Sequence, residues 1–483
     1  MFNVYHESAR FILGKYAPDC FDKCNEINSL PVNIIIVGFG WTGETLTEQA
    51  IRMGHYGNEN KLRITIVDKM AKEKEEKFLS HYKNPDAQDN KFILDDIELN
   101  FIEKDIECLS SLEDLSVDDV NPPAVVYICL GSDTLGTFTA VRLRKMFGSL
   151  SPPIIVCLEE GESALFESNN FNRMNGNIYA FNMPEYACKL HVKTETDLDT
   201  LAQLVHSKYV VDSLEFSRKH FGHDDAIEVF WNALSEDKYA ELSTSLKKLW
   251  DIIDSEKAPD RPDRPDRIDG MLKKINALLR ISDFYNVWER KYPGLSKQMR
   301  DIKRFVDASK DVRIQEFNQL SVSEQETILR LNLSILLATY NGKCPNLITP
   351  YSSLNLWEDL IEEIKDSNRY QADHISVKLR AVGYDTNDVI PIEELKMKLA
   401  ESATLEKLAK MEHRRWMAEK RMAGWSRGKR DDLMKTHPLL VPFEELPDNE
   451  KKKDYNCIAN IPLLVSTENW KNYKKLMALD KHV

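Results

Sequence analysis

The stretch VNIIIVGFGWTGETLTEQA, residues 32–50, carries three glycines, Gly38, Gly40 and Gly43, spaced as a phosphate-cradling turn requires. Gly38 permits the tight turn, Gly40 lets backbone amides approach a diphosphate, and Gly43 lets the following helix pack close to the strand. A phosphate there meets the free amides of a helix N-terminus. Asp68 closes the next strand-like run, RITIVD. It is placed to accept ribose hydroxyls, and its charge favours a free diol over a 2'-phosphate. Trp41 and Thr42 fill the variable positions of the turn. The indole either shields the diphosphate or packs on a neighbouring domain. The chemistry this predicts is binding of NAD or an adenine nucleotide. Hydride transfer would need a proton donor, such as Tyr with Lys or His with Asp, facing the nicotinamide. No such set stands out, so an NAD(P)-dependent oxidoreductase is the alternative reading and no catalytic residue is assigned.

A second constellation lies in LEKLAKMEHRRWMAEKRMAGWSRGKRDDLMKTHPLLVPFEELPDNEKKKD, residues 405–454. On a helical wheel Leu405, Leu408, Ala409, Trp416 and Ala423 share one face with Glu412 and Glu419. Carboxylates in an apolar stripe must be paired, so these two are expected to tie down basic groups or loop amides. From residue 412 to 430 there are seven Lys or Arg against two Glu in a chain of net charge −13. This is a local anion site, with Trp416 and Trp425 positioned to stack on a base while arginines hold its phosphates. The competing reading is a solvated basic face above two core tryptophans.

The elements that must position these groups follow from periodicity. NIIIVG, RITIVD, LNFIEKDI, AVVYICLG, PIIVCLE and NIYAFN alternate with helical patterns. They predict a doubly wound parallel α/β sheet, its strands continuously apolar because both faces are buried. A helix is expected over about 197–210. Helical patterns then dominate 216–355, interrupted by APDRPDRPDRIDG at 258–270, where repeated proline makes a semi-rigid linker. The expected organisation is a nucleotide-binding domain at 1–215, an α-helical insertion at 216–355 and a mainly helical domain at 356–483.

The acidic balance argues against general nucleic-acid binding. Apolar runs are far shorter than the roughly 20 residues that span a bilayer, and MFNVYHESARF lacks the apolar core of a signal peptide, so a cytoplasmic protein without membrane insertion is expected. Eight cysteines, at 20, 24, 108, 129, 157, 188, 344 and 457, have no paired CxxC spacing. Buried thiols are predicted, and no metal site.

VGFGWTG, IVDK, Asp105 in IEKDI, and CLGSDTLG with Gly131, Ser132 and Asp133 make residues 32–210 resemble the Rossmann-type amino-terminal domain of RCK, or KTN, proteins. The resemblance implies a regulatory nucleotide held around Gly38, Gly40, Trp41, Thr42, Gly43, Asp68, Asp105, Gly131 and Ser132, and a homodimer or larger assembly. MEHRRWMAEKRMAGW and RDDLMKTHPLLVPFEELPDNEKKKD, with the upstream helix DSNRYQADHISVKLRAVGY, make residues 356–480 resemble the ryanodine-receptor repeat (RyR) domain. That resemblance implies a ligand-binding module, with His413, Arg415, Trp416, Trp425, Arg427, Arg430 and His437 as the candidate contacts. His437 also has a loop-fixing role. Together these predict a sensor of nucleotide-derived small molecules in bacterial signalling or defence. The remaining alternative is a cytosolic regulatory subunit of a potassium or other ion channel.

Overall fold

The computed structural model describes residues 4–21, 31–83, 92–117, 122–161, 176–183, 199–209 and 360–477, with 166 and 357 besides, and without 59, 207, 387 and 432. The expected 216–355 block and its proline linker lie outside the described residues. Contacts divide the chain into two compact units, 1–202 with 366–483, and 203–365. The sheet and the C-terminal helices therefore belong to one discontinuous unit.

Six parallel strands, β1 (Asn33–Val37), β2 (Leu62–Asp68), β3 (Ile97–Glu103), β4 (Val125–Ile128), β5 (Ile154–Leu158) and β6 (Ile178–Asn182), run in the order β3-β2-β1-β4-β5-β6. All six expected strands are present. β1, β4 and β5 are buried along their whole length, as continuous Ile and Val runs demand, whereas the edge strand β3 alternates. One core layer gathers Ile35, Val37, Val126, Ile128, Val156 and Phe147. The order reverses between β1 and β4, and such a switch point leaves a crevice at the carboxyl ends of the strands. Helices α3 (Trp41–Met53), α4 (Ala71–His81) and α5 (Asp133–Phe147) follow β1, β2 and β4. Residues 199–206 are helical, inside the expected 197–210 span.

An element the sequence reading left aside ties this unit together. α1 (Val4–Lys15) and the short α2 (Pro18–Phe21) precede the sheet, and α1 packs along α3. Arg10 Nε donates to Asp373 Oδ2 at 2.8 Å and Nη2 to Oδ1 at 3.2 Å. Arg380 answers in the opposite sense, with Nε and Nη2 on the two oxygens of Asp19 at 2.7 and 2.8 Å. Asp373 and Arg380 lie on α6 (Glu362–Ala381), so two forked ion pairs clamp the first helices to the C-terminal part. Tyr127 hydroxyl donates to Tyr16 O at 2.6 Å, fixing the same segment to β4.

The C-terminal part continues with α7 (Ile392–Ala400), α8 (Ser402–Met422), α9 (Asp448–Ala459), α10 (Ile461–Val465) and α11 (Glu468–Met477). Between α8 and α9 two dipeptide strands, β7 (Ser426–Arg427) and β8 (Thr436–His437), pair in parallel. α8 packs on α9 and on α3, the helix that begins at the glycine turn.

Candidate functional site

β1 delivers the chain into the glycine turn at the switch point, and each glycine can be tested by the Cβ it lacks. Gly38 has φ +92°, and a Cβ there would lie 2.6 Å from Cys129 O. At Gly43 a Cβ would lie 2.0 Å from Gly38 O, so the first turn of α3 packs on the backbone that precedes it. Both glycines are required by the protein's own packing. Gly40 differs, for its φ of −83° suits any residue and a Cβ would meet nothing within 4 Å. It caps α3 without a side chain, and the helical ladder opens with Glu44 N–H donating to Gly40 O at 2.9 Å. The amides before that bond have no intrahelical acceptor and carry the positive end of the helix dipole. The residues present therefore fit a diphosphate, with Gly40 making room and α3 supplying donors.

The other residues predicted here divide by placement. Asp68, at the end of β2, accepts Phe39 N–H at 2.8 Å and Lys74 Nζ at 2.7 Å on Oδ2, and Met70 N–H at 2.9 Å on Oδ1. Burial pushes its carboxyl up, but these three hydrogen bonds outweigh it and hold the group below its ordinary value. Trp41 is 75% exposed and stacks on Tyr5 of α1 at 6.4 Å, so it lies outside the core. Thr42 is buried, and its hydroxyl donates to Glu159 Oε1 at 2.8 Å. Gly131 leaves open space, the nearest atom to its absent Cβ being Glu159 Oε2 at 4.0 Å. Ser132 caps α5 by accepting Leu135 N–H at 3.4 Å. Asp133 accepts the amides of Glu159, Glu160 and Gly161 at 2.8 to 3.1 Å, which fixes the loop after β5. Asp105 is exposed and caps the turn after β3 through Glu107 N–H.

Sequence reasoning missed Glu159. The signal was available: it stands one residue beyond the end of β5, much as Asp68 stands at the end of β2. Cys129 and Cys157 are buried as expected, their sulfurs 3.8 Å apart, whereas Cys20 and Cys108, outside the strands, are exposed and depart from that expectation.

On α8 the basic cluster splits into two populations. Arg415 is 2% exposed; its Nη2 and Nη1 donate to Glu412 and Glu419, each at 2.8 Å, and Nε also faces Glu412. Lys378 of α6 reaches Glu412 at 2.6 Å, and Ser367 donates to Glu419 at 2.9 Å. Burial pushes the Glu412 carboxyl up, but Arg415 and Lys378 overcome it and hold it at about 2. The expected pairing of both glutamates is present. Arg415 is the correction: a guanidinium enclosed by two carboxylates makes no contact with a diffusing ligand, so its role is structural. Trp425, 8% exposed, is likewise core, edge-on to His437 with Lys420 Nζ 5.5 Å from its ring centre.

The remaining predicted residues differ in exposure. Trp416, half-buried, stacks on His413 at 5.6 Å and lies edge-on to His437 at 5.1 Å. His413 is buried, with Nε2 2.7 Å from Val441 O and Nδ1 3.5 Å from Asp454. His437 Nδ1 accepts Leu439 N–H at 3.2 Å, the loop-fixing role expected of it. Arg427 and Arg430 are exposed, Arg427 standing 3.8 Å from Glu445.

Each part buries a histidine against a charged group. His55, just past α3, faces Asp96 at 3.1 Å, and His374 of α6 faces Lys378 at 2.9 Å. The Nε2 atoms of both rings are buried without a hydrogen-bond partner among the described residues. Burial, then the charges of Lys378, His55, Arg415 and Arg380, hold His374 well below its ordinary value.

Residues 389–470 match the family model of the RyR domain. The match begins at α7 and excludes α6, although Lys378 of α6 completes the buried pair with Glu412. It does not reach the sheet. No curated protein and no solved structure matches the chain. Among the described residues no helix is long and apolar enough to cross a membrane.

Proposed function

We propose that this chain is a regulatory protein that binds NAD or an adenine nucleotide in the crevice above β1 and β4. The observation that carries this reading is Gly40. Its two companions are glycine because the backbone needs them, whereas nothing in the protein excludes a side chain at Gly40, and a diphosphate lying on the first turn of α3 does. The strand order and the RCK-like motifs support the same reading, and with those motifs goes a homodimer or larger assembly, which light scattering at micromolar concentration tests. Because α3 packs directly on α8, occupancy at its N-terminus acts on a helix shared with the RyR domain. The decisive measurement is a melting series with ADP, ATP and NAD on wild type and Gly40→Val. A ligand at about 100 times its Kd stabilises the wild type by about 2.7 kcal/mol. The variant should melt as wild type does without ligand and show no shift; a shift with none of the three nucleotides in wild type removes the proposal.

A second ligand, phosphorylated and base-containing, is proposed for the RyR domain. Trp416 offers a partly exposed indole beside His437, with Arg427 and Arg430 nearby in sequence and open to solvent. Stacking on an indole contributes about 1–3 kcal/mol per base. Titration of the full chain with linear and cyclic nucleotides, comparing wild type with Arg427→Ala/Arg430→Ala, separates this from a merely solvated basic face: unchanged affinity defeats it.

A further inference from the structure

Two carboxylates bracket Gly40. Asp68 holds the residue before it, through Phe39 N–H, and Glu159 holds the second residue after it, through the Thr42 hydroxyl, each at 2.8 Å. They arrive from opposite sides, because β2 and β5 flank the central β1–β4 pair in the sheet order. Among the described residues neither acid is saturated. A carboxylate oxygen can accept about two hydrogen bonds; there Asp68 Oδ1 takes Met70 N–H alone and Glu159 Oε1 takes Thr42 alone, with Oε2 toward the open space at Gly131.

A phosphate chain running out of the cradle toward β5 meets the Glu159 charge in repulsion. A ribose diol there brings two donors to an acceptor that needs them. We infer that Glu159 is a specificity-determining residue that selects a dinucleotide-type ligand, with a diphosphate over Gly40, one ribose diol on Asp68 and a second on Glu159, over a nucleotide ending in phosphate. This rests on the nucleotide reading of the crevice and names the ligand class within it. The symmetry is a property of this chain's own residues: the Thr42 hydroxyl sets the Glu159 carboxylate as the Phe39 amide sets Asp68.

The test is calorimetric titration of the full chain with ADP-ribose, ADP and magnesium-ATP, on wild type, Glu159→Gln and Glu159→Ala. ADP-ribose carries the second ribose and no nicotinamide, so it isolates the diol. It should bind wild type about tenfold or more tightly than ADP, the span of a charge-assisted hydrogen bond. Glu159→Ala should bring ADP-ribose down to the affinity of ADP while leaving ADP as tight or tighter. Glu159→Gln keeps the shape and an acceptor but loses the charge, and should fall between; it also guards against loss of fold in the alanine variant, which unliganded melting checks. Equal binding of ADP and ADP-ribose, equal weakening of both in the variants, or a preference for magnesium-ATP overturns the inference and leaves the nucleotide reading standing. Failure of all three ligands to bind overturns both.

Discussion

Around Gly40 the protein presents backbone amides, and around α8 it is rich in charged side chains, yet the two regions use charge in opposite ways. The glycine turn draws its positive character from amides at the start of α3, which no partner helix can neutralise. In α8 the most central cation, Arg415, is enclosed by Glu412 and Glu419. It holds helices together, and Arg427, Lys429 and Arg430 at the periphery face water. A basic run in a sequence thus says little about anion binding until its carboxylate neighbours are placed, whereas a glycine that no contact requires leaves room beside the helix amides.

The contrast breaks most visibly at Arg415. Arg415→Ala removes the cation that Glu412 and Glu419 share, leaving Lys378 alone on the first and Lys420 on the second, and should cost about 3–5 kcal/mol in chemical denaturation. A loss no larger than that of a surface residue would place Arg415 among the accessible cations after all. The glycine turn gives the next largest effect. Gly43→Ala or Gly38→Ala drives a methyl into backbone and should cost about 1–3 kcal/mol, while Gly40→Ala should stay within about 0.5 kcal/mol. Three equal losses in melting experiments would mean that Gly40 is also a packing glycine.

A proton sharpens the comparison from the α6–α8 side. His374 is held below its ordinary value of 6.5, so the unfolded chain binds a proton that the folded chain refuses. Stability should therefore fall as pH drops below 6.5, at up to about 1.4 kcal/mol per pH unit from this group, and the loss should stop once the pH passes below the folded value. His374→Gln should remove that component from denaturation midpoints measured between pH 7.5 and 5.5, whereas Glu412, held at about 2, keeps its contribution until far lower pH. An unchanged slope sinks the assignment. The smallest effect belongs to Arg427→Ala, expected within about 0.5 kcal/mol because its ion pair is long and exposed. A larger loss would show the outer cations to be structural too.

Much of this was legible in order of residue. Strands buried on both faces write themselves as unbroken Ile and Val, and the turn writes itself in glycine, since both constraints act on the residue that carries them. Arg415 was misread as a ligand contact although its spacing told otherwise: Glu412, Arg415 and Glu419 stand three and four apart, the interval at which a helix pairs its own charges. Glu159 could not be read alone, because its role depends on Thr42, 117 positions away. The role of α1 lay hidden for the same reason, its partners being remote acids and bases rather than any local pattern.

The clamp between α1, α2 and α6 has a consequence for how the molecule is made. Arg10 and Asp19 must wait for Asp373 and Arg380, which follow them by 363 and 361 residues. At a synthesis rate of about 5–20 residues per second that delay is roughly 20–70 s. Throughout it the nascent chain can complete the glycine turn and its sheet, while the arginine of its first helix has Glu7 of the same helix beside it but not yet the forked partner Asp373, and the acid of the second helix still lacks Arg380. The last step of assembly is thus a closing of the polypeptide on its own earliest segment, after the crevice already exists.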